Sequence, residues 1–170
     1  MWVRGVGGRQ LVLGWGGMGG GGVGGGGVGL GRVADAKVQL EGIRADDRER
    51  AAVKLAEGRV ALAEGRAGDA VSALRPLASA EGATTDVVAM YADALFAAGE
   101  TQAASETYEL ALERDSEHPE SLLGFAAVLL RGEKEREARA ILQRVDASLR
   151  RRIRPPALRA RMLTLRGRAE

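Results

Sequence analysis

A single histidine and no cysteine leave this 170-residue chain few groups for catalysis. Without a thiol there is no disulfide, no thiolate nucleophile and no cysteine-based metal site. His118 precedes Pro119, a favourable first residue of a helix, and is therefore expected in a turn, facing water near a helix start. It has no thiol to activate, and no other ligands are grouped around it. Acid pairs such as Asp46-Asp47 and Glu135-Glu137 read as helix-start or solvated-face charges. Gly17, Gly19 and Gly22 fit a dinucleotide-binding spacing, but a stretch that is half glycine satisfies almost any glycine pattern. No enzyme constellation, cofactor or metal site is expected.

Charge is distributed in blocks. Residues 1–32 hold 16 of the 25 glycines and three arginines with no acid. Residues 33–143 carry 13 basic and 21 acidic side chains, whereas residues 144–170 carry nine arginines against Asp146 and Glu170. The net charge of +2 thus sums an acidic body and a basic tail, and does not itself indicate a nucleic-acid-binding fold. The tail places Arg150, Arg151, Arg152 and Arg154 in a cluster, followed by Arg159, Arg161, Arg166 and Arg168 on an amphipathic helix. RNA or anionic lipid would suit such a tail, though no aromatics interleave its arginines. The favoured reading is a solvated helix contacting the acidic body or a following repeat.

The elements that carry these residues follow a period of 34. Gly65, Ala70 and Leu74 are answered by Gly99, Ala104 and Tyr108. A unit of this length cannot bury its own apolar face, so neighbours must stack into a continuous core. Val88, Tyr91, Ala92 and Leu95 recur at three- and four-residue steps, as do Ala104, Tyr108, Ala111 and Leu112, which predicts an antiparallel helix pair with a buried seam. Pro76 lies within the second helix of the preceding pair and predicts a kink or an early end there.

These positions resemble the tetratricopeptide repeat family, whose pattern alternates small residues with large apolar ones. Val88, Tyr91, Ala92, Leu95, Gly99, Ala104, Tyr108 and Ala111 match it nearly in full. The stretch before supplies Gly58, Gly65, Ala70 and Leu74 but departs at Lys54, Glu57 and Leu77. The third supplies Leu122, Phe125, Ala126, Leu129 and Ala138, with Gly132 one residue early, so an extra residue is expected in its turn. The resemblance implies an all-α, right-handed solenoid of helix-turn-helix repeats. It further implies a concave surface lined by first-helix positions, among them Leu55, Arg59, Leu62, Asp93, Phe96, Leu123, Leu130 and Arg131. Of these, Arg59, Asp93, Phe96 and Arg131 are expected to face a partner.

The division that results is a Gly-rich, disordered arm at 1–33, a remnant helix of a preceding repeat at 34–50 through Ala36, Leu40 and Ile43, and repeats at 51–84, 85–118 and 119–154. Residues 155–170 then form the first helix of a further repeat through Leu158, Met162, Leu163 and Leu165, with Gly167 at its close-packing position. Both ends lack capping partners, so a fragment of a longer array, or self-association through those ends, is expected. The function this implies is a protein–protein interaction scaffold holding a peptide or helix in its groove, placed in the cytoplasm. The arm's basic start, uncharged stretch and Ala34-Asp35-Ala36 imitate a secretory signal, so an envelope-associated or periplasmic assembly factor is the alternative. RNA or anionic-lipid binding through the tail is a second alternative. A protein or peptide is the favoured partner over nucleic acid or membrane.

Overall fold

The computed structural model describes residues 2–4, 10–12, 33–35, 38, 51–151 and 156–169. Most of the arm, on which the expectation of disorder falls, lies outside them, as do Ala36, Leu40, Ile43, Asp46-Asp47 and the Gly17-Gly19-Gly22 spacing. Within the arm, β1 (Trp2–Arg4) pairs antiparallel with β2 (Gln10–Val12), with Trp2 opposite Val12 and Val3 opposite Leu11. Paired β-branched and aromatic residues such as Trp2 and Val12 favour such a ladder.

Residues 33–35 and 38 are helical, and among the described residues seven further helices follow: α1 (Ala51–Ala63), α2 (Ala67–Ala78), α3 (Thr85–Ala97), α4 (Thr101–Arg114), α5 (Pro119–Arg131), α6 (Glu135–Arg151) and α7 (Pro156–Ala169). Every consecutive pair is packed together, and α1, α3, α5 and α7 also touch in series, the contact pattern of a helical solenoid. Pro76 is accommodated in the last turn of α2, which closes after Ala78, two residues earlier in the period than α4.

The turns between paired helices repeat atom for atom. Arg66 N–H donates to Ala61 C=O at 2.8 Å, Glu100 N–H to Leu95 C=O at 2.9 Å and Lys134 N–H to Leu129 C=O at 3.0 Å, each spaced by 34 residues from the last. Such a closure needs a left-handed residue just before the donor. Gly65 (φ +75°) and Gly99 (φ +86°) supply it in the first two turns, and Glu133 (φ +59°) supplies it in the third. The expectation of an extra residue at Gly132 is therefore corrected. The period is intact, and a glutamate occupies the position where the other repeats use glycine.

Size alternation sets the helix spacing. Ala70, Ala104 and Ala138, 34 residues apart, have no accessible surface, and Leu74, Tyr108 and Leu142 fill the space beside them. At Gly58 an added Cβ would lie 2.5 Å from Leu74 Cγ, so only glycine permits that approach. Helix α7 continues the stack with Leu158, Met162, Leu165 and Ala169 buried. Two expectations for α7 are corrected here. Leu163 is 56% exposed, and Gly167 is exposed with open space around it, so it is no close-packing position. The buried spacing aligns Met162 with Ala126, 36 residues apart rather than 34, following an α6 of 17 residues where α4 has 14.

Glu133→Gly should raise stability by about 0.5–1 kcal/mol, since a left-handed backbone costs an L-residue but not glycine. Gly99→Ala should lower it by a similar amount. Urea denaturation of both variants checks the pair of signs.

Candidate interaction groove

The eight groove residues lie on α1, α3 and α5, but they do not share one environment. Leu55, Leu62 and Phe96 are partly buried against the core formed by α1 to α5, and Leu130 against the core shared with α7. Leu123 has no accessible surface and belongs to the core with Leu158, Met162 and Leu165, so it offers nothing to a partner while α7 is seated. Arg131 is exposed, and its guanidinium lies 3.8 Å from the centroid of the Phe96 ring. Its Nη1 also donates to Phe96 C=O at 3.1 Å, capping the last turn of α3. Two of the four residues expected to meet a partner thus form one stacked unit at the C-terminal ends of α3 and α5.

Asp93 is engaged within the chain. Tyr108 O–H donates to its Oδ1 at 2.6 Å, and Arg161 Nη2, from α7, donates to the same oxygen at 3.4 Å. The Tyr108 ring reaches this point because Gly124 leaves room: a Cβ there would sit 2.2 Å from the ring. Burial, then the neighbouring Asp93 carboxylate, hold the Tyr108 phenol far above the usual tyrosine value. Burial works against the charge on Arg161, yet Asp93 and Tyr108 outweigh it and raise its pKa. Arg161 Nη1 is buried without an acceptor.

A second polar cluster joins neighbouring repeats. His118 is buried, not water-facing as its turn position suggested. Its Nδ1 accepts from Ser121 N–H at 3.3 Å, capping α5, and faces Ser121 Oγ at 2.8 Å. That leaves Nε2 to donate to Asp86 Oδ1 at 2.8 Å on α3. Arg59 lies nearby on α1, its pKa lowered by burial against the opposing pull of Asp86. Sequence reasoning missed this histidine because its partner Asp86 stands 32 residues away. It missed Arg161 because Asp93 is 68 residues distant. For Gly124 the only signal was a glycine inside an apolar helix, which marks a close approach without naming what approaches.

The Arg150-Arg151-Arg152-Arg154 cluster lies outside the described side chains. Among the described residues, no helix is long and apolar enough to cross a membrane, and no three potential metal-ligating side chains are grouped.

Tyr108→Phe should cost about 1–3 kcal/mol at neutral pH, because Asp93 loses its shortest donor. In the unfolded chain the phenol ionises near pH 10, while in the fold it stays protonated. Its stabilising effect is therefore complete below about pH 10 and lost as pH rises beyond it. Urea denaturation at about pH 9 and about pH 11 should show a fall for the wild type that is smaller in Tyr108→Phe. For His118, replacement by Asn should keep most of the α5 cap, whereas Ala should lose about 1 kcal/mol more, measured the same way.

Residues 95–162 match the family model of the tetratricopeptide repeat. Among curated proteins, an "Uncharacterized lipoprotein" of Treponema pallidum (strain Nichols) is 37% identical over 80 residues, 47% of this chain. That match spans 41% of the relative's own length. Among solved structures, the crystal structure of MamA superposes with a TM-score of 0.54 at 14% identity, over 82% of this chain and 85% of the other. At that identity the likeness is one of fold. Residues 95–162 thus match the tetratricopeptide repeat, and the 34-residue recurrence of turns and buried alanines carries the same helical-hairpin geometry through the solenoid on the N-terminal side of that match.

Proposed function

We propose that this protein is an interaction scaffold that holds a peptide or an amphipathic helix of a partner protein along its first helices. Tetratricopeptide repeats generally mediate protein–protein interaction, and this chain's first helices support the reading locally. The observation that carries it is the series Leu55, Leu62, Phe96 and Leu130, apolar and only partly covered, set beside the cations Arg59 and Arg131. Apolar anchors with a polar rim suit an amphipathic ligand. Asp93 and Leu123 are left out of the contact set, since the first is held by Tyr108 and Arg161 and the second lies beneath α7.

The working placement is the cytoplasm. The similarity to a lipoprotein favours a second reading, in which the scaffold serves at the cell envelope. The 170 residues contain no cysteine, so they themselves offer no thiol for lipid attachment. Fractionation of a tagged full-length chain distinguishes the two, since recovery wholly in the cytoplasm excludes the envelope reading.

Affinity purification with mass spectrometry, comparing the wild type with Phe96→Ala/Arg131→Ala, tests the groove. Partners held there should fall at least about tenfold in recovery, as expected for the loss of a central aromatic anchor and its arginine. Circular dichroism confirms that the variant remains helical. An unchanged partner set from a folded variant overturns the proposal.

A further inference from the structure

Besides Val38, two large apolar side chains stand exposed among the described residues: Leu110 on α4, 43% accessible, and Leu163 on α7, 56% accessible. Each is the centre of the same three-residue frame with the charge reversed. Glu106, Leu110 and Glu113 lie at i, i+4 and i+7, and so do Arg159, Leu163 and Arg166, all six exposed. On a helix, residues four before and three after a given position fall on one flank of it, about 40° and 60° to the same side. α4 therefore presents a leucine with an acidic flank, and α7 a leucine with a basic flank.

We propose that a second copy of this chain docks its α7 on α4, antiparallel, with Leu163 against Leu110, Arg166 beside Glu106 and Arg159 beside Glu113. The antiparallel sense follows from the frames. When two such helices face each other antiparallel, their charged flanks fall on the same side of the seam, whereas a parallel pairing puts them on opposite sides. Burial of the two leucines drives the contact, and the charge rows fix partner and direction. Block charge supports a second copy as the occupant, because residues 33–143 carry 13 basic against 21 acidic groups and residues 144–170 carry nine against two. α7 packs on α5 and α6, and Leu163 lies on the face turned away from them. The two surfaces differ, so the contact is head-to-tail and propagates instead of closing as a two-fold dimer. One helix on one helix buries less than a standard interface, which makes the association weak and dependent on concentration and salt.

Sedimentation velocity of the full chain tests this, at about 10 and about 300 µM and in about 50 and about 500 mM sodium chloride. The weight-average mass should rise with concentration at low salt and return towards the monomer at high salt. Glu106→Arg/Glu113→Arg and Arg159→Glu/Arg166→Glu should each stay monomeric. An equimolar mixture of the two should associate, because the basic α4 of one variant then meets the acidic α7 of the other. Leu163→Ser, which leaves the charges in place, should weaken association at least about fivefold with an unchanged thermal melt. A wild type that stays monomeric throughout, association indifferent to charge reversal, or a mixture that fails to associate overturns the proposal. Association that appears only on adding an RNA oligomer or anionic vesicles assigns the basic face to that ligand and overturns it equally.

Discussion

The fold depends on helices that approach closely enough for each hairpin to borrow the apolar contacts it lacks. Ala70, Ala104 and Ala138 set that distance, and Leu74, Tyr108 and Leu142 occupy the space it leaves. Where the pattern tightens further, glycine appears: Gly58 under Leu74 and Gly124 under Tyr108. A methyl group at either site would force two backbones apart, and the displacement would pass along the stack, because each hairpin is seated on the one before it.

Much of this was legible in the sequence because it recurs. A small residue at a fixed interval leaves a trace that any single helix would not. What escaped was determined by neighbours remote along the chain. His118 stands before a proline in a turn, a setting that ordinarily faces solvent, yet Asp86 from the preceding hairpin covers it and supplies its hydrogen-bond acceptor. Glu133 escaped for a different reason. The turn requires a left-handed backbone, and although glycine adopts one most cheaply, the closure from Lys134 to Leu129 holds a glutamate there. In the groove, residue types and helix positions were readable, but Phe96 and Arg131 stack on each other and Leu123 is covered by α7, relations that helix position alone does not express.

Arginine has a consistent structural use in this chain. Arg114 reaches Ala83 C=O, Arg131 reaches Phe96 C=O and Arg144 reaches Ser116 C=O, each bonding to the preceding hairpin. In every case a planar, permanently charged donor from one repeat meets a main-chain carbonyl at a helix end or in a turn of the preceding one. Arg114 and Arg131, two of the 13 basic side chains of residues 33–143, are thus committed to joining neighbours.

The bond from Arg161 to Asp93 runs from α7 past α5 to α3, over two repeat lengths. A stack in which each unit feels only its immediate neighbours can bend at any joint independently, like a chain of hinges. A tie that skips one unit removes that freedom, because opening either of the two joints it spans must stretch the same contact. The curvature of this half of the molecule is therefore shared by two hairpins and the helix that follows them, since bending at either joint strains the same contact.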